Sequence, residues 1–81
     1  MNYRELQVSL GRAIRDLRSG RGYSQESFAN AVGLHRTYIG GIERGERNVS
    51  LRNLARIADM LEIPLSQMLV MAENYLETST K

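Results

Sequence analysis

Cysteine is absent from the 81 residues, and histidine and proline occur once each. Without cysteine there is no disulfide framework, no thiolate zinc site and no cysteine nucleophile, and the composition suits a reducing compartment. The lone histidine, His35, makes no His-rich metal site. Long apolar runs are missing too. The longest, MLVMA at 68–72, is far short of the ~20 residues that span a bilayer. The first residues, MNYRELQ, hold no apolar signal-peptide core. A soluble, cytoplasmic protein without a membrane partner is expected. No valine, isoleucine or threonine run alternates with period two, and no repeat, linker or low-complexity segment appears. The length allows one domain with one small core. Such a domain hides only roughly 60% of the surface its unfolded chain exposes.

Arginine is abundant and unevenly placed. Net charge is +2 overall, but residues 1–32 carry +2, residues 33–56 carry +3 and residues 57–81 carry −3. Ten of the eleven basic residues are arginine, whose planar fork suits phosphate and base edges better than lysine does. The first two thirds of the chain can face a polyanion, and the tail avoids one.

Apolar residues recur with helical spacing throughout. A first helix is expected over 4–19, with Leu6, Leu10, Ala13, Ile14 and Leu17 on one face and Arg4, Arg12, Arg15 and Arg18 on the other. Gly20 and Gly22 are expected to end it in left-handed geometry. A second starts at Ser24, a good N-cap. Ser27 stands where a capping box wants Glu or Gln, so an ordinary cap is expected. Phe28, Ala29 and Val32 face inward, and Gly33 stops the helix. A third spans about 35–44, with Ile39 and Ile42 inward. Ser50 caps a fourth, carrying Leu51, Leu54, Ile57, Ala58 and Leu61 on one stripe. Pro64 opens a fifth over 65–77. The fold class is all-α, a five-helix bundle.

Residues 25–44, QESFANAVGLHRTYIGGIER, pair two short helices across a tight turn at Gly33, with small Ala29 at their crossing. This is a helix-turn-helix pattern. The segment resembles the DNA-binding unit of lambda-repressor and Cro type (XRE-family) regulators. Gln25, Ala29, Gly33, Ile39 and Ile42 match that motif, and the likeness extends over about residues 6–70. The stretch LHRTYIGGIERGERNVSLRNLARIA is most similar to the small controller proteins of restriction–modification systems.

The resemblance implies a compact lambda-repressor-like domain whose third helix enters the major groove with its N-terminal end leading. Arg36, Thr37, Tyr38 and His35 would meet base edges. Gln25 would bond a phosphate and brace a side chain of the third helix. Gly41, Arg47, Asn48 and Ser50 would hold backbone. The residue types fit: Arg36 can pair bidentately with guanine, worth roughly 1–3 kcal/mol of discrimination. The start of the Ser50 helix attracts phosphate, and Arg52 strengthens that site. Gly40 and Gly41 cost a helix about 1 kcal/mol each. They are expected on or beside the outer face, where bare backbone approaches a phosphate strand. Gly41→Leu should then keep or firm the fold and damage DNA binding. Glu43 is expected to pair with Arg47, Arg44 or Arg12 rather than touch DNA.

One such unit reads too few base pairs to find a genomic site, so a homodimer on a palindromic operator is expected. The fifth helix has a wider apolar arc than one core needs. Its Met68, Met71, Ala72, Tyr75 and Leu76 are the candidate interface. A standalone phage-type repressor is the alternative, as is an antitoxin-like interaction module. The latter usually needs a longer extension than the TSTK after helix five. No acid–base pair, nucleophile constellation, phosphate-cradling loop or metal-ligand set appears, so neither an enzyme nor a cofactor or small-molecule ligand is expected.

Overall fold

A computed structural model describes residues 1–79, with side chains through residue 77. They form five helices: α1 Tyr3–Gly20, α2 Gln25–Val32, α3 Arg36–Glu43, α4 Leu51–Met60 and α5 Leu65–Ser79. Four of them start on a side chain that accepts a backbone N–H left free by helix geometry. Asn2 Oδ1 accepts from Glu5 N at 2.8 Å, His35 Nδ1 from Thr37 N at 3.1 Å, and Ser50 Oγ from Asn53 N at 3.1 Å. At α2 the cap is reciprocal, contrary to expectation. Ser24 Oγ accepts from Ser27 N at 3.0 Å, and Ser27 Oγ accepts from Ser24 N at 2.9 Å. A short hydroxyl closes the box where Glu or Gln usually does, because the two serines already touch.

Gly20 belongs to α1, and the left-handed residue that turns the chain is Gly22. The turn between α2 and α3 does run through a left-handed Gly33, at φ 82°. Its N–H still bonds Ala29 O at 2.9 Å, so the second helix starts without leaving the first one's last turn unsatisfied.

The core draws on every helix. Ile14, Phe28, Ile39, Ile42, Ile57, Leu61 and Met68 are its largest fully buried side chains. Each contributes roughly 1.5–3 kcal/mol of burial. α1 lies along α5 and crosses the end of α3. That crossing is close because residue 11 is glycine. A Cβ there would press on the carbonyl oxygens of Ile42 and Glu43.

α5 spends its apolar arc inside the molecule. Met68 and Ala72 have no exposed surface, so neither is available to a second copy, contrary to expectation. Tyr75 is half-buried and engaged by α1. Its hydroxyl donates to Asp16, and the Arg12 guanidinium sits 4.3 Å from its ring centroid. The bond to Asp16, then burial, raises the phenol pKa above its ordinary value. Met71 and Leu76 remain half-exposed, and Val70 is 51% exposed. No helix among the described residues is long and apolar enough to cross a membrane.

Candidate nucleic-acid interface

α3 has only eight residues, too few to be helical alone. Its second half is what holds it. Ile39 and Ile42 are buried to within 2% exposure. Glu43 accepts from Arg18 Nε at 2.6 Å, Arg18 Nη2 at 3.0 Å and Gln25 Nε2 at 3.0 Å. Arg18 also donates to Tyr23 O at 2.8 Å. The Glu43 side chain is only 2% exposed, and a charge that deep is tolerable only when paired and fully hydrogen-bonded. The partner is thus Arg18, not Arg47, Arg44 or Arg12. Arg18 lies one turn past buried Ile14, at the edge of the inward face of α1, and its side chain turns in to the carboxylate. Gln25 does brace α3, through Glu43.

The first half of α3 faces solvent. Gln25, His35, Arg36, Thr37, Gly40 and Arg44 line one open groove. Three of the four residues expected to meet bases share this surface: His35, Arg36 and Thr37. With Nδ1 used as an acceptor, the donor of the His35 ring is Nε2. Arg36 is 65% exposed at its side chain and lies 3.4 Å from Glu26, while Arg44, 56% exposed, lies 3.0 Å from Glu46. Exposed pairs of this kind are worth about 0–1 kcal/mol, so either arginine leaves its carboxylate at little cost. Arg44 was not anticipated as a groove residue. Its spacing of seven from Thr37 was the available signal, since two helical turns return to the same face.

Tyr38 points elsewhere. It packs half-buried against the core, donates to Asn48 O at 3.3 Å and accepts from Asn53 Nδ2 at 3.3 Å. One residue past Thr37 is about 100° further round the helix, and that turn aims the ring at the α4 side. In this position it is a strut between α3, the following loop and α4, away from the groove that His35, Arg36 and Thr37 line.

The glycine pair is buried, contrary to expectation. Gly40 floors the groove beside Arg44. Gly41 lies under the stem of Arg47, whose Cγ would be 2.5 Å from an added Cβ. Bare backbone at residue 41 therefore seats an arginine and does not present itself to a phosphate strand. A leucine there must displace Arg47, so a firmer fold is no longer expected of Gly41→Leu.

The loop that follows is well fastened. Gly45 sits against Val8 at φ 74°, and Gln7 Nε2 donates to its carbonyl at 2.8 Å. Arg47, Asn48 and Ser50 are exposed along it, and Arg52 is exposed in the first turn of α4. Arg47 and Arg52 have no carboxylate partner among the described residues. Arg56, which sequence reasoning passed over, donates to Val32 O at 2.7 Å and so satisfies the end of α2.

A short exposed helix, clamped by its second half and joined through a tight turn to a preceding helix, defines a helix-turn-helix DNA-binding protein. The helix-turn-helix family model matches residues 14–68, and the chain belongs to that family, in its XRE branch of transcription regulators. It is similar to Control protein C.MunI of Mycoplasma sp., with 43% identity over 65 residues, covering 79% of this chain and 88% of that one. It is similar also to the crystal structure of the restriction-modification controller protein C.AhdI from Aeromonas hydrophila. The TM-score is 0.74 at 45% identity, over 76% of this chain and 94% of that one. SinR, a master regulator for biofilm formation solved in complex with DNA, matches at TM-score 0.71 and 28% identity, over 74% and 97% of the two chains.

Proposed function

We propose that this chain is a sequence-specific transcription regulator that works in the cytoplasm as a homodimer on a palindromic operator, as the controller protein of a restriction–modification system. The observation that carries the reading is the exposed edge of His35, Arg36 and Thr37 on a helix fixed from behind by the Arg18–Glu43–Gln25 cluster. Rigid backing lets three side chains meet base edges without paying for order at the moment of binding. Arg36 takes a guanine, Thr37 a thymine methyl or a groove-edge acceptor, and His35 Nε2 a base or a phosphate. Arg47, Asn48 and the start of α4 fix register on the phosphates. All 81 residues act as one domain, with residues 25–44 as the reading unit.

The homodimer uses what α5 leaves outside: exposed Val70 with half-buried Met71 and Leu76. The controller assignment rests on the relatives whose names carry that role. Selection of bound duplexes from random DNA, followed by anisotropy titration at several salt concentrations, tests the whole reading. A twofold-symmetric consensus, bound more weakly as salt rises, is expected. Recovery of no consensus would sink the sequence-specific part.

A further inference from the structure

Asn48 is gripped by two tyrosines. Tyr3 Oη donates to Asn48 Oδ1 at 2.8 Å, and Tyr38 Oη donates to the Asn48 backbone carbonyl at 3.3 Å. Both acceptors of Asn48 are thereby occupied. An asparagine amide carries its acceptor and its two donors on the two branches of one plane, so the orientation that gives Oδ1 to Tyr3 leaves Nδ2 on the other branch. No described residue accepts from Nδ2. Asn48 itself is exposed, next to Arg47 and two residues ahead of the Ser50 cap.

Tyr3 does not sit on a loose tail. Asn2 Oδ1 accepts from Glu5 N at 2.8 Å, and Asn2 Nδ2 donates to Glu5 Oε1 at 3.1 Å. Two bonds thus fix the first turn of α1, and Tyr3 is its first residue. The contact spans 45 residues of sequence. It ties the start of α1 to the middle of the loop, beyond the Gly45 end that Gln7 and Val8 already fasten.

We propose that Tyr3 is a positioning residue for DNA binding: its hydroxyl holds the acceptor end of the Asn48 amide inward, so that the donor end meets a phosphate oxygen. The opposite amide orientation would aim a carbonyl oxygen at the phosphate and repel it. This rests on the DNA-binding reading above, with Asn48 as a backbone contact, and adds a residue whose own side chain touches no DNA.

The test is Tyr3→Phe, which keeps the ring and removes only the hydroxyl. Anisotropy titrations would use the selected duplex and a random one. Weakening by about fivefold on both is expected, because a phosphate contact carries no sequence information. The slope of log K against log salt should stay unchanged, since a neutral amide releases no counterion. Asn48→Asp keeps an acceptor for Tyr3 but loses the donors, and should weaken binding more than Tyr3→Phe. In an Asn48→Ala background, Tyr3→Phe should add nothing. Equal affinity of Tyr3→Phe and the parent, or a full additive loss on top of Asn48→Ala together with a lowered melting temperature, overturns the proposal. If the parent protein binds no duplex at all, the DNA-binding reading fails instead. The positioning is then judged by NMR: Asn48 side-chain amide signals that do not move in Tyr3→Phe overturn it.

Discussion

Arg36 has the clearest single-residue consequence. Its only ion pair among the described residues is the exposed one with Glu26, so Arg36→Ala should leave the melting temperature nearly unchanged. It should cost about 1–3 kcal/mol of discrimination at one base position in each half-site. A selection experiment that returned the parent consensus would remove Arg36 from the readers. Arg18 is the opposite case. Arg18→Met strands a Glu43 carboxylate that is 2% exposed at its side chain. Loss of about 3–5 kcal/mol is expected in urea unfolding. A second change, Glu43→Leu, should return much of that loss, because an apolar pair needs no desolvated charge.

Among the elements, the α1–α3 crossing and the seat of Arg47 carry the sharpest expectations. Gly11→Ala gains about 1 kcal/mol in helix propensity. The new methyl meets backbone oxygen of Ile42 and Glu43, which no side-chain rotation relieves. Overpacking of about 1–3 kcal/mol wins, so thermal melting should show net destabilisation. Gly41→Leu should act through its neighbour. By pushing away the Arg47 stem it should lower the salt slope of DNA binding by about 1, and Arg47→Ala should do the same.

These elements also mark what the sequence makes legible. Helix positions and inward faces follow from the period of Leu6, Leu10 and Ile14, or of Leu54, Ile57 and Leu61, and the Ser24 and Ser50 caps follow from local chemistry. The exposure of His35, Arg36 and Thr37 on one edge was legible for the same reason, since they open a helix after a turn. What eluded reading depends on partners distant in sequence. Arg18 meets Glu43 across 25 residues, and Tyr3 meets Asn48 across 45. Gly11, Gly41 and Tyr38 have roles set by whichever element lies over them. Part of the surplus apolar surface of α5 disappears once α1 is laid against it: Met68 and Ala72 are buried, and Tyr75 is engaged by Asp16 and Arg12.

For the whole molecule, the question is how a domain this small recognises an operator. The proposed dimer surface is tested by Val70→Lys. Val70 is 51% exposed, so the monomer fold should tolerate the change. Sedimentation at tens of micromolar (a range set by the weakness of small interfaces) should show dimer for the parent and monomer for the variant. Helical circular dichroism should be alike. A parent that sediments as a monomer would remove the dimer from the model.

The groove rim has a consequence for how such a protein changes its target. Arg36, Thr37 and Arg44 are exposed, and the two arginines make only exposed ion pairs, whereas the residues behind them form the clamp. Exposed substitutions of that sort shift stability by about 0.5 kcal/mol or less. Address and chassis are therefore separable. A library randomised at those three positions should yield mostly folded proteins with altered operators, and new specificities lie within a few substitutions of the old one.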